Sequence, residues 1–546
     1  MRHALLVATL SLGAASCVAT STSPHSAQRD YLAGRVAELR ADHETAAHRY
    51  FAALADGPRD PALIERALAA SLGAGDEAGA RRAARLGRGA DTPAYAHIVA
   101  AIDAMAARDW RGADRRLTQV EGAAAEEMIA RVLLVWARLG SGQAAGADAQ
   151  ALNAMRPYNP AFGYQQGMAL EFAGRQEEAL AAYQAARESG ASSAAGVEAY
   201  ADLLARRGAR DQAAALLRAE DNANNPQLAA ALARLGGGQT VAEAPLSPAR
   251  AAADGLQGLA VVFAQEYDTS NRLAALTLAL MLDPGADSAR LAFAQAQLDI
   301  GHRDLAEAAL SRIAPDSVYA QSAQIKTAWI QLDNGEHEVA LAAVGAAARA
   351  GDARALRSLA DMYRSLKRFD EAEPLYSQLI ANAPDNWRFY FARGAARERL
   401  GRWPEAEADM LRALELSPDQ ADVLNYLGYS WADRGERLPE ALSMIERAVA
   451  QHPRSVAIID SLGWVHFRLG DYQRALDILE RVVELDPREP TLNEHLGDVY
   501  WRVGRRIEAR YQWRRALELE PDNPAVLQAK LEQGLPDQPQ ARSAAR

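Results

Sequence analysis

SVAIIDSLGWVHFRLGDYQRALDILERVVELDPREP, residues 455–490, is the stretch that decides the fold. It contains Gly463, then Ala475 and Pro487 at equal intervals of 12 residues. The same triple recurs on either side. Ala360, Gly394, Gly428, Gly463 and Gly497 are separated by 34, 34, 35 and 34 residues. Ala372, Ala406, Ala441, Ala475 and Ala509 keep those steps, as do Pro384, Pro418, Pro453, Pro487 and Pro521. Three independent columns on one period define a repeat, and a period of this length means stacked supersecondary units.

Each column has a physical reason. The glycine or alanine at position 8 lies on a first helix and the alanine at position 20 on a second. Small residues there let two antiparallel helices cross closely, which large side chains would prevent. Position 27 is again small or short (Leu379, Ala413, Ala448, Val482, Ala516), and large residues fill position 24 (Tyr376, Met410, Ile445, Leu479, Trp513). The proline at position 32 ends the second helix, because it lacks an N–H and clashes with a preceding turn. Gly401, Gly435, Gly470 and Gly504, at the corner between the helices, suit a left-handed cap. The corner Asp433–Pro439 carries one inserted residue.

Period and columns together resemble the tetratricopeptide repeat (TPR) family. The resemblance implies an all-α TPR solenoid, a right-handed superhelix of helix-turn-helix units. Upstream the pattern is weaker but continues. Gly34, Ala46, Tyr50, Ala53 and Pro58 fit one unit, and Gly167, Ala179, Tyr183 and Ala186 another. About six units are expected between Ala27 and Pro226, and about eight between Ala251 and Pro521. The Gly236-Gly237-Gly238 run with Pro245 and Pro248 breaks the rhythm and reads as an irregular connector between two arrays. The expected organisation is a signal segment over 1–16 and a lipidated Cys with flexible tether over 17–28. A degenerate N-terminal array over 29–226 and a connector over 227–250 follow. The C-terminal array covers 251–524 and is clearest over 353–524. A cap helix over 525–535 and a disordered tail over 536–546 complete the chain.

Composition narrows the function. The 546 residues carry a net charge of −11 with no basic stripe, which argues against nucleic acid as the main partner. Met1-Arg2-His3 precedes the apolar run Ala4–Leu12, a pattern of secretory signals. The run ends Gly13-Ala14-Ala15-Ser16-Cys17, similar to the lipobox of bacterial lipoproteins, with Ala14 where Leu is usual. Cys17 is the single cysteine of the chain. In an exported protein a lone cysteine is a free thiol, an intermolecular bridge or a modified residue. The resemblance favours lipidation at Cys17. Val18 is not the Asp that retains such proteins at the inner membrane, so the resemblance implies the periplasmic side of the outer membrane.

No motif in the sequence makes a persuasive catalytic constellation. His43 and His48 are five apart rather than four, so they do not share a helix face as a metal pair would. The Gly236-Gly237-Gly238 run has no following Lys and is not a phosphate-binding loop. The expectation is a non-enzyme without metal or cofactor.

Function should then lie in the groove. In TPR solenoids positions 2, 5, 9, 12 and 13 of the first helices face the concave side. Mapped onto this chain, they select Arg388, Arg399, Asn425, Tyr429, Asp460, Trp464, Phe467, Arg468, Trp501 and Arg502, with Glu494 and Asp498 in the same row. Aromatics and Arg are the residue types that anchor protein interfaces. Tyr429, Trp464, Phe467 and Trp501 would form an apolar strip rimmed by Arg388, Arg399 and Arg468. A shift of one residue in helical register instead makes Trp464 and Trp501 packing residues between helices. Over residues 386–524 the chain is similar to long outer-membrane TPR lipoproteins. Some of these bind a periplasmic carboxyl-terminal processing protease and present cell-wall (peptidoglycan) hydrolases to it. The resemblance implies an adaptor for such protein partners, anchored to the membrane by lipid. The alternative is a structural or assembly factor for envelope, export or polysaccharide machinery.

Overall fold

The computed structural model describes residues 24–56, 60–89, 92–142, 146–220, 225–237, 247–521 and 523–536. The described residues are 78% helical, and no strand occurs among them. The signal segment, Cys17 and the tail beyond residue 536 lie outside them.

Six antiparallel helix pairs run from Pro24 to Glu220, followed by a single helix Pro226–Gly236. Eight further pairs run from Pro248 to Glu518, and Pro524–Gln533 closes the series. The fold is an all-α TPR-type solenoid. Two details differ from expectation. The chain is helical from Pro24, so residues 24–28 of the expected tether belong to the first helix. The expected connector begins instead as the helix Pro226–Gly236, because Asn225 accepts hydrogen bonds from the Gln227 and Leu228 amides and Pro226 sits where its missing N–H costs nothing.

The repeat columns do what their chemistry requires. A Cβ built on Gly463 would lie 2.6 Å from Leu479 Cγ, and one on Gly167 would lie 2.4 Å from Tyr183. The small residue at position 8 thus seats the large residue at position 24 in both halves of the chain. Corner glycines take left-handed backbone, as at Gly435 and Gly470 with φ of 73° and 85°. The inserted residue after Gly435 is absorbed by Arg437, itself left-handed at φ 44°, whose guanidinium lies 4.1 Å above the Trp431 ring.

The chain forms two compact units, residues 1–340 and 341–546, so the division does not fall at the 227–250 stretch. In the first unit the hairpin Pro248–Gln265 and Thr269–Leu282 leaves the solenoid path. It packs on earlier first helices, namely Pro61–Ala74, Ala94–Ala106, Ala124–Gly140 and Phe162–Phe172. Every residue from Leu273 to Leu282 is buried. Long-range hydrogen bonds stitch this hairpin and its successor in place: Thr277 Oγ1 to Leu72 O at 2.7 Å, Gln297 Nε2 to Gly73 O at 2.8 Å, and Gln165 Nε2 to Ala251 O at 3.1 Å. Much of the inner face of the N-terminal repeats is therefore covered by the protein's own chain. The second unit holds five helix pairs and the closing helix around a separate core that includes Trp403, Trp431 and Trp513.

Candidate functional site

The first helices of the second unit, Trp387–Arg399, Ala421–Arg434, Val456–Leu469 and Pro490–Arg502, carry the residues that the sequence singles out. Packing divides these residues into three groups.

Arg388 and Arg399 are exposed. Each guanidinium lies against an aromatic ring, Arg388 at 4.7 Å from the centroid of Trp387 and Arg399 at 5.7 Å from that of Phe369. Such contacts steady a long side chain without removing its charge from solvent. Tyr429 and Arg468 are half-buried. Arg468 donates to the Asp433 carbonyl and sits 5.9 Å above the Trp464 ring. Burial, with Asp433, Asp460 and Glu494 nearby, pushes the Tyr429 hydroxyl well above the usual phenol range. Tyr429 therefore stays neutral and can donate a hydrogen bond. Half-buried Asn425, one helical turn before Tyr429, has a buried Oδ1 without a hydrogen-bond partner.

Asp460, Trp464 and Phe467 are buried, which corrects the picture of an open aromatic strip. Trp464 is 7% exposed. It stacks on Phe467 at 4.8 Å and on His495 of the next first helix at 4.1 Å. His495 Nδ1 faces both carboxylate oxygens of Asp460 at 3.0 Å. Burial alone would lower the imidazole, but the Asp460 carboxylate outweighs it and holds the His495 pKa above its ordinary value. The cationic form of His495 is thus favoured beside the indole face.

At the end of the row, Trp501 and Arg502 are half-buried. Trp501 tilts against Trp513 at 5.3 Å and lies under Arg506 at 5.0 Å, so it does not join the Trp464 cluster. Arg502 donates to the Pro536 carbonyl at 2.7 Å. Lys530, from the closing helix, reaches back to Glu494 Oε1 at 2.6 Å and Asp498 Oδ2 at 2.7 Å. Trp513 Nε1 donates to the other Asp498 oxygen at 2.8 Å. Burial raises the Asp498 carboxyl against the pull of Lys530. Two inner-face acids are therefore already engaged by the protein's own ammonium.

Sequence reasoning passed over His495 and Lys530. His495 is one residue off the groove positions, and only the close approach of successive first helices brings it over Trp464. Lys530 lies beyond the last repeat, where the 34-residue columns give no signal. Among the described residues no group of three or more His, Asp or Glu side chains is placed to hold a metal ion. No described helix is long and apolar enough to cross a membrane.

The tetratricopeptide repeat family matches residues 325–386, 359–421, 391–456, 432–490 and 461–524. Residues 325–524 are therefore TPR repeats, the class of helical scaffold that holds protein partners. A TPR repeat-containing protein of Pseudomonas aeruginosa is 34% identical over 87 residues, 16% of this chain. The match spans only 15% of that relative's length. A TPR protein from Parabacteroides merdae is 18% identical, with 45% of this chain and 97% of that one covered at a TM-score of 0.37. The APC/C hetero-tetramer Cut9-Hcn1 is 16% identical, with 93% of this chain and 96% of that one covered at a TM-score of 0.44.

Proposed function

We propose that the protein is a non-catalytic scaffold that holds partner proteins on the inner side of its C-terminal repeats. In this reading Cys17 carries a lipid that tethers it to the periplasmic side of the outer membrane. There it brings a carboxyl-terminal processing protease together with the peptidoglycan hydrolases that the protease cuts. The observation that supports partner binding is the pairing of ring-backed, exposed Arg388 and Arg399 with half-buried Tyr429 and Arg468 on successive first helices. Guanidinium and phenol groups of this kind favour partner segments carrying carboxylates.

The test is a pull-down from detergent-solubilised envelope, comparing the wild-type chain with Arg388→Glu/Arg399→Glu. Both positions are exposed, so the double variant should keep the wild-type melt. Partner recovery should fall by at least about tenfold, because charge reversal at two contacts removes more than 1.4 kcal/mol. Equal recovery by both chains would remove this face as the binding surface. Export or polysaccharide-assembly components in place of protease and hydrolase would replace the adaptor reading.

A further inference from the structure

In the first unit the hairpin Pro248–Leu282 does not fill the whole inner face. A cavity of about 630 Å³ remains. It is bounded by Phe162–Phe172, Ala194–Arg206 and Pro226–Gly236 on one side, and by Pro248–Gln265, the turn at 283–286, the start of helix Asp287–Asp299 and the turn at 317–319 on the other. A second cavity of about 510 Å³ shares Ala195, Gln227, Asp254, Gln257, Ser288 and Tyr319 with the first. These shared residues form the partition. Within it the Tyr319 hydroxyl donates to Gln227 Oε1 at 2.7 Å, and Gln227 Nε2 donates to Glu198 at 2.6 Å.

The larger cavity has a charge imbalance. Glu171, Glu198, Asp202, Asp254, Asp283 and Asp287 line it, against three guanidiniums. Every one of those guanidiniums is engaged. Arg206 pairs with Glu171, Arg234 with Glu198 at 2.8 Å and Asp202 at 3.5 Å, and Arg250 with Asp283 at 4.0 Å. Arg290, outside the lining, reaches Asp287 at 3.5 Å. Asp254 is different. Its Oδ2 accepts from the neutral Gln165 amide at 2.6 Å, and no ion pair reaches it among the described residues. Burial pushes its pKa up to about 6, against the pull of Gln165 and Arg250. Between the charges the wall is small and apolar, with Met168, Ala199, Ala230 and Val318. Such a wall accepts methylenes.

We propose that this cavity binds an aliphatic cation, a primary ammonium or guanidinium on a methylene stem, with Asp254 as its counter-ion. The second unit already contains the same chemistry, where the Lys530 ammonium sits between Glu494 and buried Asp498. The excess of carboxylates disfavours an anion. The cation has two sources, a Lys or Arg side chain on an extended peptide or a free diamine, and the experiment separates them.

The full chain is titrated calorimetrically with three probes: 1,5-diaminopentane, the capped tripeptide Ala-Lys-Ala, and the capped peptide with norleucine for Lys. Saturable binding of either cation is expected, with none for norleucine. Binding of the peptide alone assigns a polypeptide ligand, and binding of the diamine alone a small free cation. Asp254→Asn keeps an acceptor for Gln165 and removes the charge, so affinity should fall at least about tenfold. Its melt should be unchanged or higher, since an uncompensated carboxylate is gone. Ala230→Leu fills the cavity without touching a charge and should also abolish binding, giving a second reading should the first variant misfold. No saturation by either cation up to millimolar concentration, or equal binding by Asp254→Asn, would overturn the assignment.

Discussion

Replacing Trp464 by Ala removes a ring that is 7% exposed and stacked on both Phe467 and His495. Deleting a buried Trp side chain typically costs about 3–5 kcal/mol, from lost transfer free energy and the cavity left behind. Each ring stack adds about 0.5–1.5 kcal/mol beyond burial. Against this, the indole Nε1 is buried without a hydrogen-bond partner, and its removal relieves a penalty of about 1–3 kcal/mol. The two stacks and the relieved penalty nearly cancel, so the net expectation is a destabilisation of about 4 kcal/mol. With a urea dependence of about 2 kcal/mol per molar, the transition of the second unit should move down by roughly 2 M. The assay is urea unfolding of the full chain followed by circular dichroism and tryptophan fluorescence. Trp501→Ala provides the internal comparison, because its half-buried ring should shift the transition by less. A Trp464→Ala midpoint within about 0.3 M of wild type would refute the packing argument. The ring would then be free to serve as a contact for a partner.

Lys530→Met leaves Glu494 and buried Asp498 without their cation, and should destabilise the last repeats by about 3–5 kcal/mol in the same unfolding assay. The folded pKa of His495 lies above its ordinary value of 6.5, so its stabilising contribution is complete below that pH and is lost as pH rises through the folded value. The second unit should therefore melt lower at pH 9 than at pH 6, and His495→Gln should flatten that difference; a wild-type melt that rises over the same range contradicts the sign. Cys17→Ser should release the protein into the soluble fraction with an unchanged melt. Continued pelleting of the Ser variant with outer membrane in high salt would mean that lipid is not the anchor.

The repeat columns were legible because they record contacts inside one helix pair. Gly463 against Leu479 is a local relation, and it recurs wherever the spacing recurs. The candidate residues were legible as a row along successive first helices but not in their exposure. Trp464 does fall on the inner row, yet His495 of the next repeat covers its face, and no single-repeat register contains that contact. The buried hairpin was missed although its signal is present. Leu273-Ala-Ala-Leu-Thr-Leu-Ala-Leu-Met-Leu282 is apolar on all sides, and a helix of that kind has no solvent face. Inside an array, where each helix is covered by neighbours, this pattern does not stand out from the other helices of the expected 251–524 array. The helix Pro226–Gly236 was obscured by the glycines after it, although Asn225 followed by Pro226 is a start signal in its own right.

Repeat geometry alone does not create a binding groove; what matters is whether the inner positions are left open. In the first unit much of the inner face is filled by Pro248–Leu282, and the remaining space is an acidic cavity. In the second unit the row from Asp460 to His495 closes on itself through a buried ion pair and stacked rings, and Lys530 takes the acids at its end. Under the proposed function a partner of the second unit would meet exposed Arg388 and Arg399 and half-buried Tyr429 and Arg468, rather than buried Trp464. Truncating a buried ring there changes stability and binding together and cannot separate them. Charge reversal at an exposed Arg leaves the packing intact, so a loss of partner with an unchanged melt is informative only at those outer residues.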